Sequence, residues 1–213
     1  VKQLRKVQSR FLRVRDLEDL GKLVRVEPYR LTLIASRPVY NIFSVPKKNG
    51  EKRWIEDPED RLQDIQSALG FYLSAVYFFH RTPAAYGFVI SSKRDPEPRN
   101  VATHALRHLH AKWLFNADFQ DFFHQIKSER VFAILTSNPF DFEPELAELI
   151  TGLATHQGRL PMGAPTSPIL SNWATIQLDT KIKKLAEKHD WTYTRYADDL
   201  SFSAPTEITP SQI

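Results

Sequence analysis

The sequence contains no cysteine and only one methionine among its 213 residues. Without cysteine, disulfides, cysteine-ligated zinc sites, iron–sulfur clusters and thiol nucleophiles are all excluded. Any metal must therefore be held by oxygen or imidazole ligands, and we expect a reducing, intracellular setting. The single methionine is Met162, so we expect that the chain does not begin at its translation start.

Long apolar runs are also missing. The longest, Phe71 to Phe79, is interrupted by Ser74 and is much shorter than the roughly 20 residues that span a bilayer. Charged residues are scattered through Val1 to Arg15, which leaves no apolar core for a signal peptide. We therefore expect no membrane partner. With 42% hydrophobic and 25% charged residues, the composition is typical of a folded globular chain.

The formal charge of +4 is unevenly distributed. Residues 1–30 contain nine Lys and Arg against four Asp and Glu, whereas residues 31–213 carry a net charge of −1. In the first segment Leu4, Val7, Phe11, Val14 and Leu17 recur at helical spacing, which predicts an amphipathic basic helix. Two interpretations stay open: an arm that binds a polyanion, or the solvated face of a surface helix.

Periodicity and turn signals predict an α+β chain without repeats. An Asn-Gly dipeptide between two strand-like runs predicts a β-hairpin with a basic tip. The predicted helices are Leu17 to Val24, with a continuation toward Ile34 that Pro28 interrupts, Asp60 to Phe79, Val101 to Ala111, short pieces within 122–135 and 144–155, and Ser167 to Lys188. The predicted strands are Tyr40 to Pro46, Arg53 to Asp57, Trp113 to Phe119, Thr192 to Tyr196 and Leu200 to Ser203.

Three aspartates form the strongest chemical signal. Asp198 and Asp199 are adjacent at the turn of a tight predicted hairpin, and Asp118 ends a predicted apolar strand, where we expect a buried acid. Adjacent carboxylates repel unless a cation neutralises them. The alternatives are a solvated turn for the pair and a helix N-cap for Asp118, although Asp121 suits the N-cap better by position. Three carboxylates on two strand segments are the minimal oxygen set for two Mg²⁺ ions.

The segment Tyr193-Thr-Arg-Tyr-Ala-Asp-Asp-Leu-Ser-Phe-Ser203 resembles the palm hairpin of reverse transcriptases, and its wording is most similar to bacterial retron-type enzymes. Four further segments resemble that family in the same order along the chain: Phe43-Ser-Val-Pro-Lys-Lys-Asn-Gly-Glu-Lys-Arg-Trp-Ile55, Ala85-Tyr-Gly-Phe88 with Asn100-Val-Ala-Thr-His104, Asn116-Ala-Asp-Phe-Gln-Asp-Phe-Phe123, and Gly158-Arg-Leu-Pro-Met-Gly-Ala-Pro-Thr-Ser-Pro-Ile-Leu-Ser-Asn172.

The resemblance implies a right-hand polymerase fold with a ferredoxin-like antiparallel palm sheet. It divides the chain into a basic helical segment at 1–38, fingers at 39–110 and an incomplete palm at 111–213, with the thumb absent from this chain. It also implies a bacterial, cytoplasmic location. Without a thumb to clamp a duplex, we expect these 213 residues alone to be weakly active or inactive.

The resemblance also implies roles for particular residues. Asp118, Asp198 and Asp199, with the Phe119 carbonyl, would ligate two Mg²⁺ ions, the cofactors expected here. Asp121 and Phe123 would line the nucleotide pocket, where the Phe123 ring would exclude a ribose 2′-hydroxyl and so favour dNTPs. Further nucleotide contacts are implied for Lys47 and Arg53, which would hold the triphosphate, and for Met162 and Gly163.

Two details qualify these roles. Met162 stands where the family usually has Gln, which removes an amide near the nucleotide, while Gly163 fits a close approach of the backbone to the substrate. His104 is interpreted as structural, Phe122 as core, and His124 and His156 receive no role. Contacts to the RNA backbone are expected from Arg10, Arg13, Lys93, Arg94 and Arg99.

The resemblance therefore predicts an RNA-directed DNA polymerase of a retron-like anti-phage system. Its partners would be dNTPs, a structured non-coding RNA template, the RNA/DNA duplex and an effector protein. Three alternatives stay open: another defence-associated or group II intron-like reverse transcriptase, a catalytically silent RNA-binding scaffold, and a nucleotidyl cyclase, which is disfavoured because its Gly-Gly-Asp/Glu-Glu-Phe hairpin is missing.

Overall fold

A computed structural model describes residues 1–47, 50–92 and 94–207 of the chain. Within these ranges, groups of helices are combined with two small antiparallel sheets, in agreement with the α+β prediction. Their order is α1 (Lys2–Phe11), α2 (Leu17–Val24), α3 (Pro28–Ser36), β1 (Tyr40–Pro46), β2 (Lys52–Pro58), α4 (Asp60–Tyr77), α5 (Val101–Leu106), β3 (Trp113–Asp118), α6 (Phe122–Gln125), α7 (Ser128–Leu135), α8 (Pro144–Ala154), α9 (Ser167–Lys188), β4 (Thr192–Tyr196) and β5 (Asp199–Ala204).

Helix α4 lies at the centre of the hydrophobic core. Its buried residues Leu62, Ile65, Leu69 and Leu73 recur at the helical spacing that the sequence predicts. The helix packs against α1, α8 and α9, and the Trp173 indole donates a hydrogen bond of 3.4 Å to the Leu73 carbonyl. Since that carbonyl belongs to α4, the contact fixes α9 beside it.

The N-terminal basic region consists of the two predicted helices, but the first is shorter than its hydrophobic stripe, which extends to Leu17. Helix α1 ends at Phe11, and Asp16 begins α2 as an N-cap whose carboxylate accepts the Asp19 N–H at 2.9 Å. Leu4, Phe11 and Val14 are buried as the stripe predicts. A separate helix, α3, begins at Pro28 because proline is tolerated in the first turn of a helix but not in its interior.

Strands β1 and β2 form the predicted antiparallel hairpin, with Tyr40 opposite Pro58 and Val45 opposite Arg53. The predicted turn residue Asn49 lies outside the described residues. The outer half of β2 is exposed and its inner half is buried from Glu56 onward. The base of the hairpin therefore rests on the body of the protein, while the outer part of β2, from Lys52 to Trp54, is exposed to solvent.

A second sheet contains three antiparallel strands in the order β3-β5-β4. The segment at 84–86 lies along the outer edge of β4, where the Tyr86 N–H donates to the Arg195 carbonyl and the Arg195 N–H to the Ala84 carbonyl, both at 2.8 Å. Ala85 and Arg195 form a parallel bridge. This segment therefore extends the sheet beyond β4.

The helix predicted over Val101 to Ala111 is shorter, because α5 ends at Leu106. Its continuation turns more tightly, and the His108 N–H donates to the Ala105 carbonyl. The His108 ring contacts the hydroxyls of Ser203 at 2.7 Å and Thr194 at 2.6 Å. We attribute the early end of the helix to these contacts, since they fix His108 against the three-stranded sheet.

A buried ion pair joins α9 to β4. The Arg195 guanidinium donates two hydrogen bonds to the Asp179 carboxylate, at 2.9 and 2.8 Å, and neither side chain has exposed surface. Tyr193 and Thr82 donate to the same carboxylate at 2.9 and 3.3 Å. Burial alone would lower the pKa of Arg195, but the bonds and charge of Asp179 raise it. The guanidinium is therefore charged, and both side chains are closely surrounded by partners.

Replacement of Asp179 by Asn should strongly destabilise the fold, because it leaves the Arg195 charge buried without a counter-ion. We expect the free energy of unfolding to fall by about 3 to 5 kcal/mol in urea titrations. Asp190→Asn is the matched control, since Asp190 is exposed at the end of α9, and it should change stability by less than about 0.5 kcal/mol. Equal stability of the two variants would contradict the prediction.

Candidate active site

The turn between β4 and β5 carries the adjacent aspartates. Tyr196 pairs with Asp199 across the hairpin, which leaves Ala197 and Asp198 as the two turn residues. Ala197 has a positive φ of 58°, a conformation that costs a non-glycine residue of order 1 kcal/mol. The Arg195 guanidinium donates to the Ala197 carbonyl at 2.7 Å, so the buried ion pair also holds this turn in place.

The three predicted aspartates lie at the same end of the sheet. In the β3–β5 register Asp118 is directly opposite Asp199, and the Phe119 N–H donates to the Asp198 carbonyl at 3.1 Å. Residues opposite each other in an antiparallel pair share a face, with Cβ atoms about 4.5 to 5.5 Å apart. Strand pairing therefore brings Asp118 and Asp199 together, although they are far apart in sequence.

The electrostatics of this cluster fit a cation. Partial burial raises the pKa of Asp199, and the charges of Asp198 and Asp118 raise it further against a smaller opposing effect of His104. In the part of the chain that the structure describes, no group of three or more His, Cys, Asp or Glu side chains has the arrangement of a metal site. The donor chemistry nevertheless fits Mg²⁺, since the carboxylates are hard oxygen ligands whose repulsion a cation would relieve.

The sequence predicts a buried Asp118, and that expectation is wrong. Asp118, Asp198 and Asp199 are all exposed, as are Trp113 and Leu114 on β3. The reason is that β3 is an edge strand, which pairs only with β5 within the described residues. The cluster therefore faces open solvent and is accessible to a large ligand.

A glycine allows a loop to pack directly behind the aspartate turn. A Cβ atom on Gly87 would lie 2.3 Å from the Ala197 backbone nitrogen, which is closer than any side chain permits. The Asn172 amide donates to the carbonyls of Gly87 and Phe88 at 3.0 and 3.3 Å, and its oxygen accepts from Arg195 at 3.1 Å. The turn is therefore supported from behind by the segment at 84–88 and by α9.

Two residues predicted to line a nucleotide pocket follow β3. Asp121 is the N-cap residue of α6, as predicted by position, but it has a positive φ of 49° and its side chain makes no capping hydrogen bond. Its carboxylate is exposed and available for a ligand. Phe123 is half-buried, with its ring 5.6 Å from Phe122 and 6.1 Å from Phe88, while Phe122 is core as expected.

Met162 and Gly163 lie beside strand β2. The Glu56 N–H donates to the Met162 carbonyl at 2.7 Å. Gly163 has a φ of +129°, and a Cβ there would lie 2.9 Å from the Glu56 carbonyl oxygen. The sequence predicts that this glycine allows a substrate to approach the backbone, whereas the close approach in the structure is to β2.

The two predicted triphosphate contacts, Lys47 and Arg53, are exposed on the two sides of the β1/β2 hairpin. Lys47 forms an ion pair of 3.2 Å with Glu51. Arg53 lies opposite Val45 in the hairpin register. Both cations are accessible, and their contact with a triphosphate stays a prediction.

The predicted RNA contacts divide into two groups. Arg10 and Arg13 are exposed and line an open groove of about 690 Å³ between α1 and α2, and Arg94 is exposed elsewhere. Lys93 lies outside the described residues. Arg99 is only 8% exposed, because it packs over the Tyr86 ring and donates to the Pro83 carbonyl and to Glu97. This burial argues against a phosphate contact by Arg99.

The sequence misses a second polar centre around Glu56. This buried carboxylate accepts hydrogen bonds from His124, His156 and Arg159. The sequence assigns no role to the two histidines, because nothing in their spacing relates them to a residue about 70 to 100 positions earlier. The only available signal was an acid next to the apolar Ile55 in the inner half of a predicted strand.

His104 lies near the aspartates. Its ring is 5.7 Å from Tyr196 and 5.4 Å from Tyr86, and burial lowers its pKa although the Asp199 charge opposes this. The ring is also 5.5 Å from His108, which contacts the sheet. The structural interpretation of His104 agrees with this aromatic packing.

Comparison with known proteins identifies the family. A sequence profile described as "Reverse transcriptase (RNA-dependent DNA polymerase)" matches residues 45–209. The chain is 31% identical over 194 residues to the Retron Ec86 reverse transcriptase of Escherichia coli, an alignment that covers 89% of this chain and 57% of that protein. It is 34% identical over 183 residues to the Retron Mx162 reverse transcriptase of Myxococcus xanthus, covering 77% of this chain and 35% of that protein.

The similarity thus covers most of this chain. The aligned part of the chain spans 57% of the length of the first relative and 35% of the length of the second. Within the described residues, no helix is long and apolar enough to cross a membrane. The profile match includes β2, all three strands of the second sheet and the three aspartates. The chain belongs to the reverse transcriptase family, and its similarity is to the bacterial retron type.

Proposed function

We propose that this chain provides the nucleotidyl-transfer centre of an RNA-directed DNA polymerase. The observation that carries the proposal is the position of Asp118, Asp198 and Asp199 at one accessible end of the three-stranded sheet. Membership of the reverse transcriptase family supports the same reaction. A protein that only binds RNA has no need for three neighbouring carboxylates that repel one another.

In this proposal residues 1–38 form a basic helical segment, 39–110 the fingers and 111–213 an incomplete palm. The hairpin of β1 and β2 belongs to the fingers, and the β3-β5-β4 sheet belongs to a ferredoxin-like palm. The contact between the inner half of β2 and the loop that carries Met162 supports a junction between these two parts. A nucleotide pocket would lie between this contact and the three aspartates.

Two Mg²⁺ ions fit the proposal, with Asp118, Asp198, Asp199 and the Phe119 carbonyl as the residues that would hold them. When bound, Mg²⁺ would neutralise the charge that develops on the attacking and leaving oxygens. The three carboxylates would fix the positions of the ions, and in this way the positions of the primer 3′-hydroxyl and the α-phosphate. Lys47 and Arg53 would bind the triphosphate, and Phe123 would exclude NTPs by contact with the 2′-hydroxyl.

Replacement of Asp198 by Asn should abolish primer extension. The loss should be at least about 100-fold in kcat, because a ligand to a catalytic metal contributes several kcal/mol. The assay uses the full-length protein with an RNA template, a DNA primer, dNTPs and Mg²⁺. In the same assay, wild-type protein should extend the primer with dNTPs in preference to NTPs. Asp190→Asn, which is remote and exposed, should retain wild-type activity. Equal extension by Asp198→Asn and wild type would rule out the proposed centre.

The groove between α1 and α2 is the proposed site for the RNA backbone. Its lining carries many cations but only one acidic side chain, Asp19, and none of the cations takes part in an ion pair within the described residues. Cations without an acidic partner on a concave surface attract a polyanion such as a nucleic acid more strongly than a neutral partner. The lining cations are Lys2, Arg5, Lys6, Arg10, Arg13 and Lys22.

The double variant Arg10→Gln/Arg13→Gln should bind structured RNA more weakly. Each lost phosphate contact should reduce the slope of log affinity against log salt by about 1, so a decrease of about 1 to 2 is expected. Fluorescence anisotropy at several salt concentrations measures this slope. Lys181→Gln/Lys184→Gln on α9 removes the same charge from another exposed surface and should change it less. Identical slopes for the two double variants would place the RNA elsewhere.

We further propose that the template is a structured non-coding RNA and that the polymerase acts with an effector protein in anti-phage defence. The support is the similarity to retron reverse transcriptases over most of this chain. Sequencing of nucleic acid that copurifies with the full-length protein should recover a DNA strand complementary to part of a copurifying RNA. Recovery of RNA alone, from cells in which the protein is active, would count against this template.

A further inference from the structure

Glu56 lies where three parts of the proposed nucleotide pocket meet. Only 4% of the residue is exposed. One carboxylate oxygen accepts from His156 Nδ1 at 2.8 Å and from Arg159 Nη1 at 2.9 Å. The other accepts from His124 Nε2 at 3.0 Å, from Arg159 Nη1 at 3.1 Å and from the Met162 N–H at 3.3 Å. The carboxylate is therefore bound from three separate segments.

The first segment is a tight turn that brings His156 and Arg159 to the carboxylate. His156 and Arg159 exchange backbone hydrogen bonds of 2.9 and 3.1 Å, and Gln157 and Gly158 between them have positive φ values of 50° and 74°. Two successive positive φ values are what a two-residue hairpin turn of type I′ requires. The Tyr40 ring stacks on His156 with centroids 4.4 Å apart, which encloses the site from the β1 side.

The second segment is the loop that carries Met162 and Gly163. Glu56 holds it twice, since its N–H donates to the Met162 carbonyl and its carboxylate accepts the Met162 N–H. The absence of a side chain at Gly163 lets the two backbones approach, because a Cβ there would lie 2.9 Å from the Glu56 carbonyl oxygen. The loop is thus fixed to β2 through both backbone groups of Met162.

The third segment is helix α6, which follows the strand with Asp118. His124 contacts Glu56 and is the next residue after Phe123, so the orientation of this short helix depends on the contact. Burial would raise the pKa of Glu56, but hydrogen bonds from Arg159, His156 and His124 outweigh it, and the pKa lies below its ordinary value. The carboxylate is therefore charged when it binds these partners.

We propose that Glu56 is a positioning residue that holds the β1/β2 hairpin, the Met162 loop and the Phe123 helix in the geometry required to bind a dNTP. This inference rests on the proposed function. Glu56 does not touch the reacting atoms, so its charge should control nucleotide binding more than the chemical step. Among the described residues, no other carboxylate accepts hydrogen bonds from both α6 and the turn at 156–159.

The test is the nearly isosteric variant Glu56→Gln in the full-length protein. We expect the KM for dNTP to rise about tenfold while kcat changes less than about twofold, which is the pattern for an interaction used in binding rather than in the transition state. Glu59→Gln is the matched control, because Glu59 lies three residues further along and outside the cluster. A KM equal to that of wild type would overturn the proposal, as would an equal loss in kcat.

A second measurement does not depend on activity. Amide hydrogen exchange should become about tenfold faster at Met162 in Glu56→Gln, because its N–H loses a charged acceptor, while exchange at Leu69 in the core stays unchanged. If wild-type protein extends no primer, the proposed function is wrong. In that case the rate of amide hydrogen exchange at Met162 still tests whether Glu56 holds the Met162 loop. Unchanged exchange at Met162 would overturn the positioning role.

Arg159→Gln covers the case in which Glu56→Gln fails to fold. Arg159 has a side chain that is 24% exposed, so its removal is less disruptive than a change at the buried carboxylate. The KM for dNTP should rise in the same direction, by about threefold or more, with little change in kcat. A folded Arg159→Gln protein with the KM of wild type would contradict the proposal.

Discussion

The ion pair between Arg195 and Asp179 is the interaction on which the candidate site depends. Two fully buried charges are stable together only if every hydrogen-bonding group finds a partner, and here α9, β4 and Thr82 supply those partners. The same guanidinium reaches the carbonyl of Ala197 in the turn that carries Asp198 and Asp199. The strained turn is therefore bonded to the buried ion pair, so its carboxylates can be exposed and still keep their position.

Glu56 has a corresponding role on the other side of the proposed nucleotide pocket. The Arg195 pair fixes the aspartates from within the sheet, whereas Glu56 fixes the β1/β2 hairpin, the Met162 loop and α6 to one another. In both places a buried charged side chain forms hydrogen bonds with several segments, and these bonds hold the loops in one conformation. The residues that the family profile matches include both the three aspartates and Glu56 with its partners. Only the aspartates are adjacent in sequence or in strand register, so short sequence motifs indicate them and not Glu56.

Much of the fold was predictable because local signals agreed with the tertiary structure. The apolar spacing of Leu62, Ile65 and Leu69 gave α4, and Pro28 separated α2 from α3. Predictions failed where distant contacts decided the outcome. Helix α5 ends early beside His108, which contacts β4 and β5, and Asp118 is exposed because β3 is an edge strand. Arg99 resembled a surface cation in sequence, yet it is buried over Tyr86.

The sequence by itself determined the α+β class, most helix and strand positions, and the three aspartates as candidates, because periodicity and short motifs are local properties. It also carried the resemblance to reverse transcriptases that the family profile confirms. Only the tertiary structure decided that Glu56 joins His124, His156 and Arg159, and that Gly87 and Gly163 are needed for contact between backbones. Those contacts join residues that are far apart in sequence, and their physical basis, the burial of charge and close backbone approach, exists only in the folded chain.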